Sequence, residues 1–324
     1  MRRHDVAIIG AGAAGLSAAL VLARACRDVV VLDAGHPRNA PAAHMHGFLS
    51  RDGMAPADLL GTGRSEVRGY GGVVVDTTVT GIRPDPAGGF RLTLTDGRPD
   101  VPARHVLVTT GLRDELPAVP GLRERWGRDV LHCPYCHGHE VRGRRLGVLG
   151  GDPGSHRYAQ IVRQWTDDLV HVVPPGRLTA DERTALLARR VEVVEGAVDH
   201  LVVDDADHLR GLQMDDGCVV ACEALFVPPR FVPHDALLTG LGCDVDDRGW
   251  VVVDGTGRTS VAGVWAAGNV VDPRAQVVTA AGAGSATAVA LNADLVDDDV
   301  RTAVRDLGPH TGPTRPHNQI EEDA

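Results

Sequence analysis

The fold is decided by residues 6–33, which read VAIIGAGAAGLSAALVLARACRDVVVLD. A short apolar run typical of a buried strand leads into three spaced glycines, an Ala- and Leu-rich helix and a second apolar run that ends in Asp33. This order is the strand–helix–strand fingerprint of a dinucleotide-binding unit. Gly10 permits the tight turn, Gly12 lets the backbone approach a pyrophosphate, and Gly15 lets the helix pack close to the strand.

The same stretch also has features of a secretory signal or a membrane helix, because Arg2 and Arg3 precede a long apolar run over residues 6–25. The nucleotide fingerprint explains more, since it also accounts for the second strand and for Asp33, whose carboxylate can accept hydrogen bonds from ribose hydroxyls. Free N–H groups at the start of the helix suit phosphates. The rest of the sequence has no stretch apolar and long enough to cross a bilayer, so we predict a soluble cytoplasmic protein with no membrane partner.

The composition limits the classes of function. The 324 residues suggest about two domains, and 43% hydrophobic residues are ordinary for a globular chain. All 33 basic residues are arginine, which excludes Schiff-base lysine chemistry and a Walker A phosphate loop. The net charge of −10 argues against binding to nucleic acids.

A second strand–helix–strand pattern begins at Arg145. The apolar run at residues 146–149 leads into a Gly- and Pro-containing turn at 150–154, which precedes a helix over 155–166 and a strand over 169–173. The other predicted elements are helices at 55–70 and 275–296, strands at 73–75, 105–111, 250–253 and 261–268, and a hairpin at 81–94. The alternation of strands and helices predicts an α/β protein.

Redox chemistry concentrates at residues 131–140, which read LHCPYCHGHE. The two-residue spacer lets the sulfurs of Cys133 and Cys136 reach disulfide distance, and a thiolate there could attack a disulfide. A structural zinc site and an inert cysteine pair are the competing interpretations. The sequence has no second CxxC and no HxxxH at ligand spacing, so no metal is predicted. The other cysteines are predicted to be small buried apolar residues; they are Cys26, Cys218, Cys222 and Cys243.

The order of the motifs resembles that of the low-molecular-weight thioredoxin reductase family of flavoproteins. GAGAAG comes first, followed by the TTG that ends at Gly111, by CPYCHGHE, and by VWAAGNVVDPRAQVVTAAGAGSATAVA at residues 264–290. The likeness extends over about residues 4–300. Several independent motifs in the same order make this resemblance specific.

The resemblance implies two Rossmann-like, three-layer domains and a homodimer. An FAD domain would be made from residues 1–114 and 244–307, at the two ends of the chain. A degenerate pyridine-nucleotide-type domain, residues 115–243, would be inserted between them and would carry the cysteine pair. The polar tail at residues 308–324 is predicted to be disordered.

The resemblance also implies which positions bind FAD. They are Gly10, Gly12, Ala14, Gly15, Asp33, Arg38, Asn39, His46, Thr110, Gly111, Gly268, Asn269, Gln276 and Val277. Asn269 replaces the family's usual Asp, which keeps an acceptor oxygen and removes a charge. FAD binding is expected to survive that change.

Within the cysteine motif, the resemblance makes Cys136 the flavin-facing thiol and Cys133 the interchange thiol that meets the substrate. The family's acid–base position after the second cysteine is usually Asp, and here it is His137. An imidazole that titrates near neutrality can take a proton from a thiol and return it. The substitution resembles the dithiol oxidases that close disulfides in natural products such as holomycin, gliotoxin and FK228. Three further histidines are left without an assigned role; they are His44, His132 and His139.

The inserted domain lacks the sequence of a working NADPH site. Asp152 stands where the family has the glycine that meets the pyrophosphate, and Pro153 removes an N–H donor. After the second strand, where a 2′-phosphate needs a basic cluster, residues 173–176 read Val-Pro-Pro-Gly and Arg177 stands alone. We therefore predict that NADPH does not bind.

Electrons would then enter from the thiol substrate. The predicted reaction is the oxidation of a small-molecule dithiol by O2 to a disulfide and hydrogen peroxide, through a mixed disulfide with Cys133 and through FAD. Two alternatives stay open. One is a thioredoxin or disulfide reductase that uses NADPH, ferredoxin or another donor, and the other is a non-catalytic, flavin-based redox sensor.

Overall fold

The structure is a computed structural model that describes residues 3–95 and 97–307. The helices are α1 (Ala13–Arg24), α2 (Pro56–Gly69), α3 (Pro134–His137), α4 (Ser155–Val162), α5 (Ala180–Ala188), α6 (Ala236–Gly240) and α7 (Val277–Leu307). The strands are β1 (His4–Ile9), β2 (Val29–Asp33), β3 (Val73–Asp76), β4 (Val79–Pro84), β5 (Phe90–Leu94), β6 (Val101–Val108), β7 (Leu112–Glu115), β8 (Val130–Leu131), β9 (Leu146–Leu149), β10 (Leu169–Val173), β11 (Val191–Glu195), β12 (Val198–Val203), β13 (Leu209–Met214), β14 (Val219–Ala221), β15 (Ala224–Phe226), β16 (Arg230–Pro233) and β17 (Val264–Ala266). The tail at residues 308–324, predicted to be disordered, lies outside the described residues.

The first sheet takes its strands from both ends of the chain. Its order is β3-β2-β1-β6-β5-β4, and β17, from the C-terminal part, pairs in parallel with β6. Strands β1, β2, β3 and β6 are parallel, whereas β4 and β5 pair antiparallel. The apolar sequences of β1 and β2 are largely buried, as parallel strands covered by helices require.

Helices α1 and α7 pack together on one face of this sheet. Leu22 of α1 and Leu291 of α7 share a buried cluster with Trp265. The helices approach closely because Gly284 has no side chain: a Cβ at that position would lie 2.8 Å from the Ala14 Cα. Since α1 follows β1 after a short turn, this packing fixes the start of α1 at the carboxyl edge of the sheet.

The second sheet is built from the middle of the chain. Its five strands run parallel in the order β11-β10-β9-β15-β8. The antiparallel sheet β12-β13-β14 packs against it, where Leu212 and Val170 share a buried cluster. A two-stranded ribbon of β7 and β16 lies where the chain enters and leaves this region. The predicted α/β class with two Rossmann-like units is therefore confirmed.

The prediction of a β-strand at residues 250–253 is wrong, because the structure has no strand there. The segment is apolar and β-branched, but it lies between two tight turns, each stabilised by an aspartate side chain. In the first turn Asp246 Oδ1 accepts the N–H of Trp250 at 2.9 Å, and in the second Asp254 Oδ1 accepts the N–H of Arg258 at 3.1 Å. Asp side chains of this kind stabilise turns at the expense of extended pairing.

The last helix is longer than the sequence predicts, since α7 continues to Leu307 instead of ending near Val296. Its second half carries aspartates that pair with arginines elsewhere in the fold; Asp299 lies 2.7 Å from both Arg104 of β6 and Arg27, which precedes β2. Such tertiary ion pairs extend a helix beyond its apolar periodicity. Among the described residues, no helix is long and apolar enough to cross a membrane.

The cysteine prediction is wrong for two of the four residues. Cys222 and Cys243 are buried, as expected. Cys26 and Cys218 are exposed. Cys26 has a φ of +60° directly after α1 ends, and Cys218 follows a turn, so both lie where the backbone leaves the core.

Candidate active site

The turn between β1 and α1 has the geometry that its three glycines predict. Gly10 has a φ of +101°, and a Cβ there would lie 2.6 Å from the Thr109 carbonyl oxygen. A Cβ at Gly15 would overlap the Gly10 carbonyl and lie 2.6 Å from Thr109 Oγ1. A Cβ at Gly12 would meet no atom of the described residues within 4 Å. The first turn of α1 is therefore open to a phosphate group, which the free N–H groups of a helix start bind well.

Asp33 lies at the carboxyl end of β2, where the fingerprint requires an acid. Its Oδ1 accepts the N–H of Ala11 at 2.9 Å, and its Oδ2 pairs with the guanidinium of Arg64. Arg64 also pairs with Asp76 at 2.8 Å. No motif in the sequence points to Arg64, because its contact from α2 to Asp33 of β2 is tertiary. The carboxylate is held beside the nucleotide turn, where it could accept ribose hydroxyls.

Arg38 reaches the ribbon between the two sheets. Its Nε and Nη2 donate to the carboxylate oxygens of Asp114 at 2.8 and 2.7 Å, and its Nη1 donates to Asn269 Oδ1 at 3.4 Å. Asn269 Nδ2 in turn donates to the carbonyls of Asp272 and Ala275 at 2.9 and 3.0 Å. An aspartate at position 269 could not donate these two hydrogen bonds, so the contacts within this loop explain why an asparagine stands here.

Thr110 and Gly111 follow β6 and contact the stretch after β16. Thr110 Oγ1 donates to the His234 carbonyl at 2.7 Å, and the Gly111 carbonyl accepts the His234 N–H at 2.9 Å. Asn39 lies in the loop after β2, where its carbonyl accepts the Ala42 N–H at 3.1 Å. These contacts anchor predicted FAD positions through their backbone or hydroxyl groups.

The loop before α7 closes over the start of α1. A Cβ at Gly268 would lie 2.9 Å from the Cβ of Ala14. Gln276 directly precedes α7, which begins at Val277, and its Oε1 lies 3.7 Å from the position that a Cβ at Gly47 would take. The structure therefore brings the predicted FAD positions, from several separate stretches of chain, to the carboxyl edge of the first sheet.

The cysteine pair lies at the carboxyl edge of the second sheet, directly after β8. Cys133 and Cys136 form a disulfide with a Cα–Cα distance of 5.2 Å. The Cys133 carbonyl accepts the N–H groups of Cys136 and His137, both at 3.1 Å, so the pair is held on the single turn α3. Among the described residues, no group of three or more His, Cys, Asp or Glu side chains is arranged to hold a metal ion.

His137 directly follows Cys136 and is half-buried. Burial lowers the pKa of its imidazole below the usual range, the nearby Glu140 carboxylate opposes that shift, and His46 adds to it. His137 is therefore neutral at neutral pH and can accept a proton there. A base beside a redox-active disulfide needs this protonation state.

His46 joins the loop after β2 to the segment after the cysteine pair. Its Nδ1 lies 3.3 Å from Asp52 Oδ2, and its Nε2 lies 3.5 Å from Glu140 Oε1. Asp52 is held by the Gly47 N–H, which donates to its Oδ1 at 2.8 Å. The resemblance places His46 among the FAD positions, and its two carboxylate partners carry no signal in the sequence, because the loop after β2 and the cysteine segment are far apart in the chain.

His132 precedes Cys133 and lies among aromatic rings. Its ring stacks on Tyr158 with centroids 6.2 Å apart and meets Phe231 edge-on at 5.2 Å. Its Nδ1 is buried and has no hydrogen-bond partner within the described part of the chain. Burial, followed by the charge of Arg38, lowers the pKa of this imidazole, so His132 stays neutral.

Tyr135, between the two cysteines, is 66% exposed. Its ring lies edge-on to Trp165 with a centroid distance of 5.6 Å. Trp165 can approach because Gly138 has no side chain; a Cβ there would lie 2.7 Å from the Trp165 ring. A supported aromatic ring therefore stands at the surface within the cysteine motif.

The turn after β9 differs chemically from the turn after β1. Residues 150–154 carry the exposed side chain of Asp152 immediately before α4. His156, in the first turn of α4, pairs with Glu182 of α5, with 3.0 Å between Nδ1 and Oε1. Glu182 also forms a capping box with Thr179. Carboxylates thus lie at the edge where a dinucleotide's phosphates would need hydrogen-bond donors and cations.

His171 is buried beneath this turn, next to Gly150, and its protonation should make the stability of the protein depend on pH. Burial lowers its pKa, and the Val148 carbonyl, 3.3 Å from Nδ1, opposes the shift. The unfolded imidazole binds a proton below about pH 6.5, whereas the folded one resists it, so stability is full above that pH and is lost as the pH falls. We expect the melting temperature to drop between about pH 7 and pH 5, and to drop less in His171→Gln. Equal drops in both proteins would contradict this.

Comparisons with known proteins agree with this organisation. A family model described as pyridine nucleotide-disulphide oxidoreductase matches residues 4–284. The crystal structure of HlmI is 56% identical and has a TM-score of 0.90, covering 94% of this chain and 96% of HlmI. An oxidoreductase structure from Agrobacterium tumefaciens is 32% identical with a TM-score of 0.85, covering 91% of this chain and 99% of that one. Thioredoxin reductase sirT of Leptosphaeria maculans is 28% identical over 316 residues, covering 91% of this chain and 95% of sirT.

Proposed function

This chain belongs to the pyridine nucleotide-disulphide oxidoreductase family, whose members bind FAD, and from that membership we propose that it is an FAD-dependent dithiol oxidase. The proposed reaction closes an intramolecular disulfide in a small-molecule dithiol, with O2 as the acceptor and hydrogen peroxide as the product. The observation that carries the proposal is the Cys133–Cys136 disulfide directly beside His137, which is half-buried and neutral.

The carboxyl edge of the first sheet fits FAD, judged from its own contacts. The open space at Gly12 and the start of α1 would hold the pyrophosphate, and Asp33 would hold the adenosine ribose. Arg38 and Asn269 would lie beside the remainder of the cofactor. The chemistry that bound FAD supplies is the acceptance of an electron pair from the reduced cysteines and its delivery to O2.

His137 begins the proposed reaction as a base. Because its imidazole is neutral, it can take the proton of one substrate thiol. The substrate thiolate then attacks Cys133 Sγ. A bond between the substrate sulfur and Cys133 forms, the Cys133–Cys136 bond breaks, and Cys136 leaves as a thiolate.

The second substrate thiol completes the exchange. After losing its proton, it attacks the substrate sulfur of the mixed disulfide, so that the substrate disulfide forms and Cys133 leaves. Two electrons have then moved from the dithiol to the cysteine pair. The two thiol protons have moved to groups of the protein, from which they can later reach peroxide.

Charge at the second sheet supports thiols rather than NADPH as the electron source. Asp152 and Glu182 are carboxylates, and the imidazole of His156 is already paired with Glu182. A pyrophosphate at the start of α4 would meet these carboxylates, and a 2′-phosphate after β10 would meet Arg177 rather than a basic cluster. We therefore propose that NADPH does not bind.

The substrate and setting are proposed from likeness. His137 after the cysteine pair supports a natural-product dithiol as substrate, and similarity to HlmI supports the same assignment. A homodimer, a cytoplasmic location, a role in antibiotic biosynthesis and the absence of nucleic-acid or membrane partners belong to this proposal.

Anaerobic reduction tests the proposal. We expect a dithiol such as dithiothreitol to bleach the yellow flavin band of the purified holoprotein, and NADPH to leave it unchanged. Readmitted O2 should restore the band and yield one hydrogen peroxide for each disulfide formed. Rapid bleaching by NADPH would overturn the oxidase assignment.

A reductase is the second candidate, because the relative sirT is named a thioredoxin reductase. It predicts that NADPH or another donor, such as ferredoxin, bleaches the flavin and that an oxidised thioredoxin restores it. A redox sensor predicts a single bleaching event with no continuous O2 consumption. Steady dithiol-dependent O2 consumption would exclude that sensor.

A further inference from the structure

A histidine flanked by two carboxylates lies next to the base of the proposed reaction. His46 has Asp52 at 3.3 Å from one ring nitrogen and Glu140 at 3.5 Å from the other. Glu140 follows His137 by three residues and lies close enough to act on its charge. The two carboxylates are 67% and 44% exposed, whereas His46 is 23% exposed, so the group extends from the cysteine motif to solvent.

The proposed exchange needs more than one proton acceptor. Two substrate thiols must lose their protons in one turnover, and His137 is the base beside the disulfide. If Cys136 is to give up its electrons, it must remain a thiolate, so the first proton cannot be placed on it. That proton must leave His137 before the second thiol can be deprotonated.

We propose that His46 takes the proton from His137 along the Glu140 carboxylate and releases it to solvent, while Asp52 holds its imidazole in position. The proposal rests on the dithiol oxidase function and adds a positioning residue to it. No bond other than N–H and O–H bonds changes in this step, and no electron moves. The proton returns by the same route when peroxide is formed.

The charges around this group suit such a relay. The Gly47 N–H and then His46 lower the pKa of Asp52, and the more distant His139 lowers it further, so Asp52 stays ionised. A carboxylate oxygen faces each ring nitrogen of His46, that of Asp52 at 3.3 Å and that of Glu140 at 3.5 Å. His137 faces Glu140 and His46, and burial makes it a poorer holder of the proton than an exposed imidazole.

The test compares His46→Gln with His44→Gln in the holoprotein, with bound flavin measured for each. Glutamine can still hydrogen-bond to the carboxylates and cannot titrate. For dithiothreitol oxidation at neutral pH, we expect kcat of His46→Gln to fall about tenfold with KM unchanged. Added imidazole should restore most of the loss, because a diffusible base can replace the relay. His44, exposed in the same loop, should give wild-type kinetics as glutamine.

The possible results of this experiment distinguish a failure of the His46 proton relay from a failure of the proposed dithiol oxidase function. A wild-type kcat in His46→Gln, or a loss that imidazole does not restore although flavin is bound, would overturn the relay and leave the oxidase intact. A wild-type protein that does not oxidise dithiols would overturn the oxidase, and the relay with it. Rescue by imidazole in His46→Gln, together with no effect of imidazole on His44→Gln, would support the relay.

Discussion

Replacing Cys136 by serine is expected to reduce dithiol oxidation about a thousandfold or more, because no disulfide can then form on α3. A serine hydroxyl neither accepts two electrons nor leaves as a stabilised anion at neutral pH. The side chain is only half-buried, so the fold and the bound flavin should survive the change. O2 consumption per bound flavin, with dithiothreitol as the reductant, measures the effect.

Cys218→Ser is the matched control for this prediction. Cys218 is also a thiol outside the core, and it lies in the hairpin between β13 and β14 of the antiparallel sheet, away from the cysteine motif. We expect its O2 consumption to equal that of the wild-type protein. Substantial oxidase activity in Cys136→Ser would show that the electrons reach the flavin without this disulfide, and the proposed mechanism would fail.

The nucleotide turn could be predicted from sequence because its constraints are local. Gly10, Gly12 and Gly15 act within one turn, and the structure shows the close contacts and the open space expected of each. The cysteine spacer is equally local, since Cys133 and Cys136 lie on one helical turn. The geometry of such a motif is determined by residues close together in the chain, so it can be predicted from the sequence alone.

The remainder of the site depends on tertiary contacts. Asp114 is the last residue of the first FAD-domain segment that the resemblance implies, and its carboxylate accepts two hydrogen bonds from Arg38. Arg64 meets Asp33 because α2 packs beside β2, and Glu140 meets His46 because the two sheets place their loops together. Charged residues are common on any surface, and sequence alone does not say which pairs will meet.

The role of each arginine depends on the carboxylates with which it pairs in the folded protein. Arg38 and Arg64 lie at the carboxyl edge of the first sheet, and each is held by carboxylates. At the equivalent edge of the second sheet, the exposed Arg177 follows β10 and the pair there is His156 with Glu182. The difference in charge between the two edges is what supports one nucleotide cofactor rather than two.

Gly15→Ala is expected to destabilise the protein by about 3 kcal/mol and to release its FAD. The added methyl would overlap the Gly10 carbonyl and lie 2.6 Å from Thr109 Oγ1, and these atoms belong to the core of the first sheet. The backbone of β1 cannot yield without breaking its pairing with β6. Chemical denaturation measures the loss, and flavin absorbance after gel filtration measures the release.

Two other glycines separate packing from cofactor binding. Gly61 lies inside α2 with open space around it, so Gly61→Ala should stabilise the protein by about 0.5–1 kcal/mol through helix propensity. Gly12→Ser keeps an accepted helix-capping residue and fills the space predicted for the pyrophosphate. We expect the unfolding free energy of its apoprotein to change by less than about 1 kcal/mol and its FAD affinity to fall about tenfold or more. If Gly12→Ser retained FAD as tightly as the wild-type protein, the pyrophosphate could not lie at the start of α1, and the assignment of this edge as the flavin site would be wrong.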